Sequence, residues 1–177
     1  MQNLDLFVSY VENYLGVPSS KYFNSGVLLI NAKMFREQKV LENFIKALEI
    51  VTFRVAPDQD YLNVLCKDRV KYLDLGWDKM PINPHNFDNN NLKLIHYNLN
   101  LKPWKYDNIP YADYFWKYAK KSLYYDKILE IKNNFSLEEE KIAQSNFERL
   151  ITLVNDCLTK QPNTLFDYKE FYNVIGI

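Results

Sequence analysis

The stretch Tyr22-Phe23-Asn24-Ser25-Gly26-Val27-Leu28-Leu29-Ile30-Asn31 decides how the chain is read. Four consecutive apolar residues, Val27 to Ile30, follow an Asn-Ser-Gly turn and stop at Asn31. That is the pattern of a strand buried on both faces, and such strands lie in sheets covered by helices. An α/β fold is therefore expected. Upstream, Leu4, Val8, Val11 and Leu15 recur at three-four spacing and predict a short amphipathic helix closed by Gly16 and Pro18. Downstream, residues 32–51 turn helical with a break near Gln38, and Pro57 opens a helix reaching about Cys66. Residues 70–75 mostly alternate apolar and polar, and residues 92–97 form another short apolar run, so both are expected as strands. A loop rich in Pro and Asn, residues 76–91, separates them.

From Pro110 onward the sequence reads as helix. Ser136 and Glu139 make a capping box ahead of a long helix whose apolar face is Phe147, Leu150, Ile151, Val154, Cys157 and Leu158. A last short helix is expected over about residues 166–174. The expected organisation is an α/β part over residues 1–109 followed by a helical tail over residues 110–177.

Composition removes several classes of function. Lys plus Arg and Asp plus Glu balance at 22 each, so the basic footprint of a nucleic-acid binder is absent. The 4 glycines, Gly16, Gly26, Gly76 and Gly176, cannot be arranged into a dinucleotide-binding or P-loop phosphate cradle. Cys66 and Cys157 stand alone, and with 2 histidines there is neither a zinc-finger cluster nor an H-E-x-x-H. Two lone cysteines and no secretory-type start point to a reducing, cytoplasmic setting. The longest fully apolar run falls far short of the ~20 residues that span a bilayer. Tyr 14 and Asn 20 are both numerous. They suit a sugar-handling surface through stacking and amide hydrogen bonds, and they equally suit a compositional bias with no such purpose.

Three places put polar side chains at the end of a strand or the start of a helix, where α/β sites are built. They are Tyr22 to Gly26, Pro57-Asp58-Gln59-Asp60, and His96 with Lys102-Pro103-Trp104. Each has a plain structural reading as well. Asp58 and Asp60 suit the first turn of a helix, where negative charge is favoured. His96 suits a hydrogen-bonded rim position, Lys102 a solvated loop, and Asn24-Ser25-Gly26 a simple turn.

Taken in order, Tyr22 to Asn31, then Asp58-Gln59-Asp60-Tyr61-Leu62-Asn63, then His96 six residues before Lys102-Pro103-Trp104, resemble the glycosyltransferases of family 8. The resemblance runs over about residues 22–121, including the aromatic stretch Tyr114 to Lys121. It implies the C-terminal half of a GT-A catalytic domain, with a partial mixed sheet flanked by helices. It further implies transfer of a hexosyl unit from a nucleotide-diphosphate sugar to a glycan hydroxyl with retention, as in bacterial surface-polysaccharide synthesis. By the same resemblance Asn24 contacts the donor sugar, Asp58 takes its hydroxyls, and Gln59 lies beneath the anomeric carbon. A carboxamide is a poor nucleophile, so Gln59 is expected to stabilise an oxocarbenium-like transition state. His96 matches a ligand of manganese (or magnesium), Lys102 a cation for the departing diphosphate. Trp104 is expected to hold that loop. Leu99 stands where the family commonly has glycine.

The family places a nucleotide-binding half ending in Asp-x-Asp before this segment, and the chain begins too late to contain it. The Asp-x-Asp at Asp58 opens a helix and is a different one. This chain alone is therefore expected to be inactive, and apolar edges left uncovered are expected to drive dimerisation or a partner's binding. A non-catalytic scaffold derived from the same fold is the other reading. Tyr111, Tyr114, Phe115, Trp116, Tyr118, Tyr124 and Tyr125 interleave with Lys117, Lys120, Lys121 and Lys127. That mixture either packs on the domain or meets an anionic membrane surface.

Overall fold

The structure, a computed structural model, describes residues 2–82, 88–99 and 101–160. The expected helix over 166–174 and part of the loop over 76–91 lie outside them. The described residues fall into two compact units, one of residues 2–72 with 147–160 and one within residues 73–146.

In the first unit, α1 (Gln2–Ser9) continues as a π-helical turn, Tyr10–Tyr14, and ends at Gly16 with φ of 68°. Glycine takes that left-handed conformation without the Cβ clash other residues meet. α2 (Ala32–Glu37) is capped by Asn31, whose side chain accepts from Met34 N at 3.1 Å. Lys39, with φ of 50°, breaks the helix before α3 (Val40–Ile50), close to the expected break at Gln38. α4 (Pro57–Leu65) begins with proline at its first position, where the missing N–H is not needed.

These helices bury Leu15, Val64, Leu65 and, from the last helix, Val154 and Cys157. Each fully buried aliphatic side chain contributes about 1.5–3 kcal/mol relative to exposure. Much of the aromatic surplus goes into the same core. Tyr10 stacks on Tyr14 at 5.2 Å between centroids, and Phe53 meets Tyr61 at 4.5 Å. The Tyr61 hydroxyl donates to the Val51 carbonyl, so its polar end is satisfied inside.

The second unit contains α5 (Ala112–Ala119), α6 (Tyr125–Asn134) and the start of α7 (Leu137–Lys160). The expected capping box opens α7: Ser136 N donates to Glu139 Oε2 at 2.9 Å and Glu139 N to Ser136 Oγ at 3.2 Å. Gly76 lies so close to Asn91 that an added Cβ would stand 1.9 Å from the Asn91 carbonyl oxygen. That approach lets Lys93 N and Leu94 N both donate to the Gly76 carbonyl at 2.9 Å. A cavity of about 590 Å³ is lined by Leu92, Tyr97, Tyr114, Phe115 and Tyr118 among others. Among the described residues, no helix is long and apolar enough to cross a membrane.

The expected sheet is not there. Among the described residues, pairing of the β type is limited to an isolated parallel bridge between Lys79 and Ile95. It is held by Lys79 N to Leu94 O and His96 N to Lys79 O, both at 3.0 Å. Residues 27–30 and 70–75 form no strand. Leu28, Leu29 and Ile30 are 40%, 87% and 48% exposed, the opposite of burial on both faces. A strand persists where neighbouring strands take its N–H and C=O groups, and no described residue pairs with these segments in that way.

Candidate functional site

α4 carries the centre of the candidate site. Its first turn holds Asp58, Gln59 and Asp60, and the three side chains have different fates. Asp60 faces inward and is fully buried. Its Oδ2 accepts from the Tyr10 hydroxyl at 2.8 Å and from Ala56 N at 3.0 Å, and its Oδ1 accepts from the Tyr22 hydroxyl at 2.6 Å. Burial pushes this carboxyl above the usual range, while the three donors pull it back toward the charged form. The two tyrosines respond in kind. Burial first, and then the neighbouring Asp60 charge, raises both phenols well above their ordinary value. The bond to Ala56 also satisfies the N–H at the start of α4.

Gln59 turns sideways and joins the two sequence stretches. Its Nε2 donates to the Tyr22 hydroxyl at 2.9 Å and its Oε1 accepts from Ser25 N at 3.0 Å. Asp58 is exposed, and its Oδ2 accepts from Ser25 Oγ at 2.8 Å. One turn further along α4, the buried Asn63 grips Phe23 at both ends. Its Oδ1 accepts from Phe23 N and its Nδ2 donates to the Phe23 carbonyl, each at 2.8 Å. Asn24 is thus fixed between two pinned neighbours, Phe23 and Ser25. Its Oδ1 accepts from Gly26 N at 2.6 Å, which leaves the amide N–H groups to donate elsewhere.

Asn24, Asp58 and Gln59 are thereby drawn together in the first unit. They present an amide donor, an exposed carboxylate and a carboxamide oxygen with a lone pair to spare, a set suited to sugar hydroxyls. Tyr22, Asp60 and Asn63 stand in the same motifs, but their supporting parts were not legible there. Which of several polar residues turns inward depends on packing, and no spacing rule reports it.

His96 and Lys102 belong to the second unit and share one loop. His96 is half-buried, and its Nδ1 lies 3.0 Å from Asp78 Oδ1. A carboxylate only accepts, so Nδ1 is the donor there, and in the neutral ring the lone pair then falls on Nε2, the form in which imidazole binds metals. Asp78 lies 18 positions from His96, and no sequence pattern links them. Among the described residues, no group of three His, Cys, Asp or Glu side chains could hold a metal ion. The described residues thus offer one imidazole nitrogen there and not a whole metal site. Lys102 donates to the Tyr97 carbonyl and lies 5.3 Å from the centroid of the Trp104 ring. Burial, and then the charge of Lys105, pushes its ammonium below the usual range. Trp104 packs on Phe115 at 4.9 Å, fastening the loop to α5. Leu99 adopts φ of 42°, the left-handed region that glycine favours.

The chain is similar to known proteins over part of its length. It is 37% identical over 93 residues to the lipopolysaccharide glucosyltransferase WaaO of Escherichia coli K12, covering 47% of this chain and 27% of that one. General stress protein A of Bacillus subtilis is 30% identical over 118 residues, covering 56% and 41%. Galactinol synthase 5 of Arabidopsis thaliana is 27% identical over 105 residues, covering 56% and 30%. The chain thus spans about a third of the length of these curated relatives. No solved structure matches it. The model of glycosyl transferase family 8 matches residues 4–108, more than half of the chain and every polar group described above, and the chain belongs to that family.

Proposed function

We propose that the site is the sugar-facing part of a retaining hexosyltransferase of the GT-A type, which moves a hexosyl unit from a nucleotide-diphosphate sugar to a glycan hydroxyl. Support comes first from one observation, the direct bonding of Ser25 to both Gln59 and Asp58, which makes two distant sequence motifs a single surface. In this reading Asn24 and Asp58 bind donor hydroxyls. Gln59 places its carbonyl oxygen near the anomeric carbon, where positive charge develops as the diphosphate leaves. From the second unit, Lys102 would neutralise the departing diphosphate and His96 would supply one nitrogen to a divalent metal, manganese or magnesium. When bound, such a metal neutralises diphosphate charge. The family membership and the lipopolysaccharide glucosyltransferase among the relatives support a glycan acceptor.

The chain spans about a third of the length of these relatives, and we propose that by itself it does not turn over. Isothermal titration of the chain with uridine-diphosphate glucose or galactose and manganese is expected to give no micromolar binding. Clear micromolar binding would contradict it. In the protein expressed from its full coding sequence, Asp58→Asn is expected to lower hexosyl transfer by a hundredfold or more; unchanged transfer would remove Asp58 from the site.

A scaffold reading is favoured by the exposed Leu28, Leu29 and Ile30, with Leu41, Ile45 and Leu48 of α3 also exposed. Self-association through that surface fits either reading. Peripheral membrane contact is proposed for the bend between α5 and α6. There Tyr118, Leu123 and Tyr124 are 67%, 100% and 73% exposed beside Lys117, Lys120 and Lys121. Flotation with anionic liposomes and not with neutral ones is the expected behaviour.

A further inference from the structure

Tyr22 stands between a fixed acceptor and the Gln59 carboxamide. The buried Asp60 carboxylate accepts from three donors and gives none. The single proton of Tyr22 is therefore committed to Asp60 Oδ1 at 2.6 Å. Only lone pairs remain on that hydroxyl, and the group facing them at 2.9 Å is Gln59 Nε2, a donor. At the other end of the amide, Oε1 faces Ser25 N–H, which can only donate. Reversing the amide would set oxygen against oxygen at Tyr22 and N–H against N–H at Ser25.

We infer that Tyr22 is a positioning residue: by giving its proton to Asp60 it fixes which way the Gln59 carboxamide turns, keeping Oε1 on the side of Ser25 and Asp58. The consequence for transfer rests on the proposed role of Gln59 at the anomeric carbon; the orientation itself does not.

Tyr10 supplies the control, because it also donates to Asp60 while the Gln59 side chain bonds Tyr22 and Ser25. In the 15N-labelled chain, a nuclear Overhauser effect is expected between a Gln59 carboxamide proton and the Tyr22 ring. In Tyr10→Phe the two Gln59 Nε2 proton signals stay as in the unsubstituted protein; in Tyr22→Phe they shift toward each other as the bonded proton is released. In the protein expressed from its full coding sequence, Tyr22→Phe is expected to lower kcat about tenfold, one hydrogen bond's effect, with the donor KM unchanged. Tyr10→Phe leaves kcat within about twofold.

Equal effects of the two variants on Gln59 would overturn the inference. So would absence of the Overhauser effect in the unsubstituted chain, a measurement that needs no variant to fold. If the unsubstituted protein transfers no hexose, the functional reading fails, while the amide signals still decide the orientation.

Discussion

Residues 22–26 and residues 27–30 are adjacent in sequence and opposite in outcome. In the first, Tyr22, Phe23 and Ser25 donate hydrogen bonds to Asp60, Asn63, Gln59 and Asp58 of α4. The next four, the most apolar run in the chain, lie largely exposed and form no strand. Polar side chains with one or two partners inside the same unit are fully specified by that unit. A strand needs whole neighbouring segments, and without them apolar character alone does not place it.

Breaking the tied side should cost most. Asn63→Ala removes three hydrogen bonds, to Phe23 N, the Phe23 carbonyl and the Gln59 carbonyl. It leaves the part-buried Phe23 N–H and carbonyl without these partners, so a loss of about 3 kcal/mol is expected in urea unfolding. A loss under about 1 kcal/mol would mean the tie is weaker than its geometry.

A subtler break comes from pH. Tyr10 and Tyr22 have folded pKa values raised by burial and by Asp60, so the folded chain keeps protons that the unfolded chain releases near pH 10. Their stabilising effect is complete below pH 10 and is lost as pH rises above it. The loss approaches about 1.4 kcal/mol per pH unit for each group. Unfolding followed from pH 9 to 11.5 should show a fall that is shallower in Tyr10→Phe. Parallel slopes would show that the Tyr10 phenol is not held protonated.

The exposed side should barely respond. Leu29→Asn at a site 87% exposed is expected to change unfolding free energy by less than about 0.5 kcal/mol. The same change should weaken self-association in sedimentation velocity, sharpening the contrast between folding and docking roles. A large loss of stability would mean that Leu29 is packed after all.

What could be read from the sequence follows the same division. The helices were legible because their signals are local: the Gly16 stop, the break near Gln38, Pro57 at the start of α4, and the Ser136–Glu139 box. The sheet was not, because a run such as Val27 to Ile30 reports only that it would suit burial. At the site, Asn24, Asp58, Gln59, His96 and Lys102 stood out by residue type and order. Tyr22, Asp60, Asn63 and Asp78 did not, since their roles depend on which side chain turns inward and on pairings 18 to 50 positions apart. Leu99 shows the reverse case: its sequence departs from the family's glycine, yet its backbone keeps the left-handed conformation.

The most direct test of the sugar-facing site is residue-resolved. The 15N-labelled chain, titrated to tens of millimolar with uridine-diphosphate glucose and, separately, with glucose, should show shifts clustered at Asn24, Ser25, Asp58 and Gln59 at weak affinity. Shifts that avoid these four positions, or none at saturation, would contradict the account.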